Sequence, residues 1–115
     1  MKMAKITTHV LNSLDGTHAA EVDVKIYVLG KEIFVGKTDL GGRLSIEIDL
    51  LLFNLENEFR ISFDIGSYFK QEKSGSNGVI IKESSLTFYM YDNTSIYHIP
   101  IIISPNGCSY WWSGE

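Results

Sequence analysis

Glu58-Phe59-Arg60-Ile61-Ser62-Phe63-Asp64-Ile65 is the stretch whose reading decides the fold class. Apolar and polar residues alternate through it, so Phe59, Ile61, Phe63 and Ile65 fall on one side of an extended chain. That period predicts a strand with one buried face. Gly66 to Glu72 follows at once and reads as one or two helical turns. Lys73-Ser74-Gly75-Ser76-Asn77-Gly78 is a loop by composition.

The same period recurs in both directions along the chain. Upstream, Lys5 to Leu11 is a short β-branched strand closed by the turn cluster Asn12-Ser13-Leu14-Asp15-Gly16. Val22 to Leu29 and Ile33 to Thr38 flank Gly30-Lys31 and predict a hairpin. Asp39-Leu40-Gly41-Gly42 is a further turn, and Arg43 to Ile48 alternates again. Downstream, Ser85 to Tyr91 and Ile96 to Ile103 are strands separated by Asp92-Asn93-Thr94. The tail from Cys108 to Glu115, with Tyr110, Trp111 and Trp112, reads as a final strand or an ordered end. About seven or eight short strands at this spacing indicate an all-β sandwich or barrel. Leu50-Leu51-Leu52-Phe53 and Ile99-Pro100-Ile101-Ile102-Ile103 do not alternate. Strands apolar on both faces are covered on both sides, so a second subunit is expected over them.

The chain's 115 residues suit one domain, 1–115, and not two. Fourteen acidic against ten basic residues give a formal charge of −4. There is no basic stripe, so a phosphate-driven nucleic-acid partner is not expected. No run approaches the ~18 apolar residues of a membrane span, and the first residues lack the apolar core of a leader. A cytoplasmic protein is the default expectation, or a periplasmic one if a leader has been removed. One cysteine, Cys108, allows no internal disulfide. It has no local activating partner and reads as a small buried hydrophobe.

Of the three histidines, His9 and His98 lie inside strands. Each has apolar company on its own side: Leu11 for His9; Ile96, Pro100 and Ile102 for His98. Such surroundings keep an imidazole neutral and basic, the state a general base needs. His18 sits in a turn and reads as solvent-exposed. Arg43, directly after Gly41-Gly42, can aim a guanidinium fork at a carbonyl or oxyanion. There is no nucleophile elbow, phosphate-binding glycine loop or His-Glu-x-x-His pair. A zinc site built from His9 and His98 is the weakest of the options, because neither has a carboxylate at ligand spacing.

Three blocks in order carry a resemblance: Ile6-Thr7-Thr8-His9-Val10-Leu11; Phe63-Asp64-Ile65-Gly66-Ser67-Tyr68-Phe69; and Tyr97-His98-Ile99-Pro100-Ile101-Ile102-Ile103-Ser104-Pro105. With this spacing, from residue 6 to about 109, the chain resembles the transthyretin-like 5-hydroxyisourate hydrolases. The resemblance implies a transthyretin-type sandwich of two four-stranded antiparallel sheets with one short helix. It implies a homotetramer, a dimer of dimers, with its sites where dimers meet. It implies ring opening of 5-hydroxyisourate in urate breakdown, without metal or cofactor. By position, His9, Arg43 and His98 match the family's site, and Tyr110 and Ser113 match two residues of its substrate-contacting tail.

Two departures accompany the match. Aligned without gaps from Ser104-Pro105, the family's usual terminal Tyr-Arg-Gly-Ser falls on Trp111-Trp112-Ser113-Gly114; aligned one residue shorter, it falls on Tyr110-Trp111-Trp112-Ser113, and neither alignment keeps the arginine. His18 stands where the family usually has proline. The alternative reading is therefore a small-ligand binding protein, or a lapsed hydrolase, whose pocket the two tryptophans have remodelled.

Overall fold

The computed structural model describes residues 3–53, 58–71 and 79–114. The elements are β1 (Ala4–Asn12), β2 (Thr17–His18), β3 (Asp23–Val28), β4 (Lys31–Lys37), β5 (Arg43–Ile48), a 3-10 turn (Leu50–Phe53), β6 (Glu58–Phe63), α1 (Ile65–Gln71), β7 (Ser84–Tyr89), β8 (Ile96–Ser104), β9 (Gly107–Tyr110) and β10 (Ser113–Gly114). The expected loop at 73–78 lies outside the described residues.

The strands form two stacked sheets, as in a transthyretin-type sandwich. One runs β4-β3-β6-β7, with every neighbouring pair antiparallel. In the other, β1 has β8 on one edge and both β2 and β5 on the opposite edge. The far edge of β8 takes β9 and β10. The ten strands among the described residues thus fill eight positions, four to a sheet. The expectation of antiparallel sheets needs one refinement: β1 and β8 run parallel, with Thr7 beside His98 and His9 beside Pro100.

The alternating sequence explains the core. Phe59, Ile61 and Phe63 point inward from β6 and meet Ile6 and Val10 of β1 and Ile99, Ile101 and Ile103 of β8. Each fully buried large side chain contributes about 1.5–3 kcal/mol relative to exposure. On the outer face of β6, Arg60 lies over the ring of Tyr27, 4.1 Å from its centroid. Helix α1 begins where the alternation stops. The Asp64 carboxylate accepts the Ser67 N–H at 3.1 Å, an N-cap, and Ile65 and Phe69 turn one face into the core. The hairpin between β3 and β4 turns on Leu29 and Gly30, at φ 51° and 76°.

Two expectations are corrected. Leu50 to Phe53 is not a strand with two covered faces. It is a 3-10 turn that leaves Leu51 and Leu52 each 74% exposed. Asp49 starts the turn, its carboxylate accepting the Leu51 N–H and its carbonyl the Leu52 N–H. Cys108 is exposed and not buried. It sits on the edge strand β9, opposite Ile103, and its thiol reaches the Ser84 hydroxyl. By contrast, Ile99, Ile101 and Ile103 fill the core while Pro100 is buried on the other face, so that run is covered on both sides in part.

Candidate functional site

The outer face of the sheet holding β1 and β8 collects most of the candidate residues. Antiparallel and parallel pairing put Ser113, His98, Thr7 and Ser45 in one cross-strand row. Pro100, His9 and Arg43 form the adjacent row. His9, Arg43 and His98, far apart in the chain, are therefore neighbours on one surface. A groove of about 430 Å³ opens there, lined by Thr7, Arg43, Ser45, His98, Lys37 and Asp39 among others.

Arg43 is placed by the turn before it. The Asp39 carboxylate accepts the backbone N–H groups of Gly41 and Arg43, each at 2.9 Å. The Asp39 N–H donates to the Arg43 carbonyl, and the Gly42 N–H to the Asp39 carbonyl. Gly42 has φ +74°, and a Cβ there would lie 2.5 Å from the Val10 carbonyl oxygen. Glycine is required on both counts. Among the described residues Arg43 makes no ion pair, whereas Lys37, across the groove, is held by Asp23 at 2.9 Å. The groove thus carries a guanidinium that is not neutralised by a carboxylate.

His98 is held by Thr7, whose Oγ1 lies 2.7 Å from His98 Nδ1. The hydroxyl can donate or accept, so it anchors the ring in either tautomer and leaves Nε2 for the groove. His9 is half-buried, and its Nε2 lies 2.9 Å from Nδ1 of His18. Burial, then the Arg43 guanidinium and then His18, hold His9 below the ordinary imidazole value of 6.5. The Gly41 carbonyl pulls the other way and His98 adds a smaller lowering. His9 is therefore a neutral base at neutral pH.

The tail divides. Ser113 stands opposite His98 on the site face. Tyr110 stands opposite Ile101 on the core side, and its hydroxyl donates to the Ser85 carbonyl of the other sheet. The two pairings share one register, so Trp111 and Trp112 lie across from Pro100 and Ile99, where the ladder is interrupted. That register sets Trp111 in the row of Pro100, His9 and Arg43. Trp112 instead lies against Gly114, where a Cβ would fall 2.1 Å from its indole.

Sequence reasoning placed His18 in solvent and gave it no part in the site. It is exposed, yet its ring stacks on His9 with centroids 4.9 Å apart. No local motif marks it; the pairing of β2 with β1 is what brings it to His9. Among the described residues no group of three or more His, Cys, Asp or Glu side chains is arranged to hold a metal ion. What the arrangement offers is two anchored imidazoles and a guanidinium on one sheet face, with His98 and Arg43 lining the groove, a set suited to moving a proton beside a developing negative charge.

The chain superposes on Klebsiella pneumoniae 5-hydroxyisourate hydrolase with a TM-score of 0.77 at 21% identity, covering 95% of this chain and 98% of that one. It superposes on transthyretin from Sparus aurata with a TM-score of 0.82 at 19% identity, covering 96% and 97%. A third structure, (S)-allantoin synthase, gives 0.80 at 20% identity; the match covers 97% of this chain and 44% of the larger one. These likenesses show the fold. No curated protein matches significantly in sequence. The profile of the HIUase/Transthyretin family matches residues 6–112, nearly the whole chain, and the chain belongs to that family.

Proposed function

We propose that this chain hydrolyses 5-hydroxyisourate, opening its ring as a step in purine breakdown. One observation carries the reading: His9, Arg43 and His98 stand in adjacent rows of one sheet face, and Arg43 and His98 line one groove there. The family contains both hydrolases and transthyretins by its name, and this trio favours the hydrolase.

In the proposed reaction His98, anchored through Nδ1, takes a proton from water on Nε2. The water oxygen bonds to a ring carbonyl carbon, and the carbonyl oxygen gains negative charge beside Arg43. The carbon–nitrogen bond then breaks, and the leaving nitrogen takes the proton back from His98. His9, neutral, stands beside Arg43 in the adjacent row, its Nε2 met by His18. General-base help of this kind is worth about 10²–10⁴-fold, and a fixed cation at the oxyanion a comparable amount. The scheme calls on no metal or cofactor. Ser113, in the row of His98, contacts substrate; Tyr110, its hydroxyl committed to Ser85, shapes the tail from the core side.

We extend the proposal to a homotetramer. Trp111 and Trp112 are 48% and 60% exposed, and Ile96 is 39% exposed beside the same face. Facing copies of this sheet would cover them and close the groove. Light scattering that finds a single chain in solution contradicts this extension.

A second reading rests on Trp111. It is 48% exposed and lies two residues before Ser113 of the site row, and an exposed indole suits stacking on a planar ligand that is bound and not turned over. Purified protein mixed with freshly generated 5-hydroxyisourate separates the two. Ultraviolet decay well above the uncatalysed rate supports the hydrolase, and decay at the uncatalysed rate overturns it in favour of binding.

A further inference from the structure

We propose that His18 is a positioning residue of this site, one that holds the ring of His9 and sets which of its nitrogens carries the proton. The inference rests on the hydrolase reading for its catalytic meaning, but the contact itself does not.

His18 is built into the site by backbone. It ends β2, paired with Leu11 of β1 two residues beyond His9. The Ala19 N–H donates to the Val10 carbonyl at 2.9 Å, and the Val10 N–H donates to the Gly42 carbonyl at 2.7 Å. Gly42 closes the arrangement from the other side: a Cβ on it would lie 3.3 Å from the Cβ of His18. The turn that aims Arg43 and the strand that carries His18 are thus both bonded to the same residue of β1, Val10. Thr17, next to His18, is tied down by the Asp15 carboxylate, which accepts both its N–H and its hydroxyl.

The contact joins Nε2 of His9 to Nδ1 of His18, so one of these nitrogens carries the shared proton and the other accepts it. Where Nε2 of neutral His9 is the acceptor, its own proton sits on Nδ1; where Nε2 is the donor, His18 accepts. His18 therefore bears directly on which nitrogen of His9 is protonated. Arg43 from β5 and His98 from β8 add like charge against protonation of His9. The carboxylates of the adjoining turns, Asp39 and Asp15, are occupied by backbone N–H groups.

The test compares wild type with His18→Phe, which keeps a stackable ring and removes both nitrogens, and with His18→Ala. Nitrogen-15 NMR of the His9 ring is recorded across the acid-to-neutral range, and the rate on 5-hydroxyisourate is measured at each pH. Loss of His18, which helps hold His9 below its ordinary value, is expected to raise the His9 titration point in both variants, change its tautomer balance and move the acid limb of the rate profile to higher pH. At alkaline pH the rates should stay within about threefold, since general-base strength there is little altered. A His9 titration identical in all three proteins, with wild-type turnover intact, overturns this inference alone. A shifted titration with no turnover in any protein leaves the pairing standing and overturns the hydrolase reading. Far-ultraviolet circular dichroism checks folding, and His18→Ala serves if the larger ring is not accommodated.

Discussion

Thr7 and His98 are joined across the parallel pairing of β1 with β8, with Thr7 Oγ1 2.7 Å from His98 Nδ1. Thr7→Val keeps the shape of the side chain and removes this bond. The fold should lose no more than about 1 kcal/mol, the net value of one such hydrogen bond. The rate should fall about tenfold as the ring loses its anchor, a change of about 1.4 kcal/mol in the barrier. Steady-state kinetics with a parallel thermal melt checks both, and an unchanged rate means that His98 needs no anchor.

Gly42 is the most constrained glycine near the site. Its φ of +74° and the 2.5 Å approach to the Val10 carbonyl both exclude a side chain. Gly42→Ala is expected to destabilise the chain by about 2 kcal/mol or more and to displace Arg43. Denaturant titration reads the first effect. A variant as stable as the wild type would show that the turn relaxes freely.

Leu29 holds φ 51° at the first central position of the β3–β4 turn, 82% exposed. An Asn-Gly pair suits that turn, and leucine there is strained. Leu29→Asn should therefore stabilise the protein by about 0.5–1 kcal/mol and raise its melting temperature by a few degrees. A lower melting temperature contradicts the turn geometry.

The depressed His9 imidazole fixes the sign of a pH effect. Its titration point lies below 6.5 in the folded chain, so the unfolded chain binds the proton first as pH falls. The contribution of His9 to stability is fully present above 6.5 and is lost as pH falls from there through the folded value. Stability curves of wild type and His9→Gln should therefore run parallel above neutrality and converge in acid. A gap that is constant across that range argues against it.

The succession of strands along the chain was legible because it rests on alternation, whereas the pairing that brings His9, Arg43 and His98 to one sheet face is not written in any local pattern. Arg43 to Ile48 has the bounds the sequence suggests, and Glu58 to Phe63 gives way to a helix within a residue of the expected place. Leu50 to Phe53 misled because four apolar residues look alike in a strand and in a tight turn. The deciding atom was the Asp49 carboxylate before them. Cys108 misled because burial of an edge strand depends on what the opposite sheet covers. His18 was hidden for another reason: a histidine in a turn shows its role only when the pairing of β2 with β1 brings it to His9.

The most direct test of the account is the rate of 5-hydroxyisourate hydrolysis by wild type against His98→Asn. Asparagine can still meet Thr7, so the fold and its melting temperature should hold, while the proton-accepting nitrogen is gone. The account predicts wild-type decay far above the uncatalysed rate and a fall of about 10²-fold or more in the variant. Equal rates for the two proteins would contradict it.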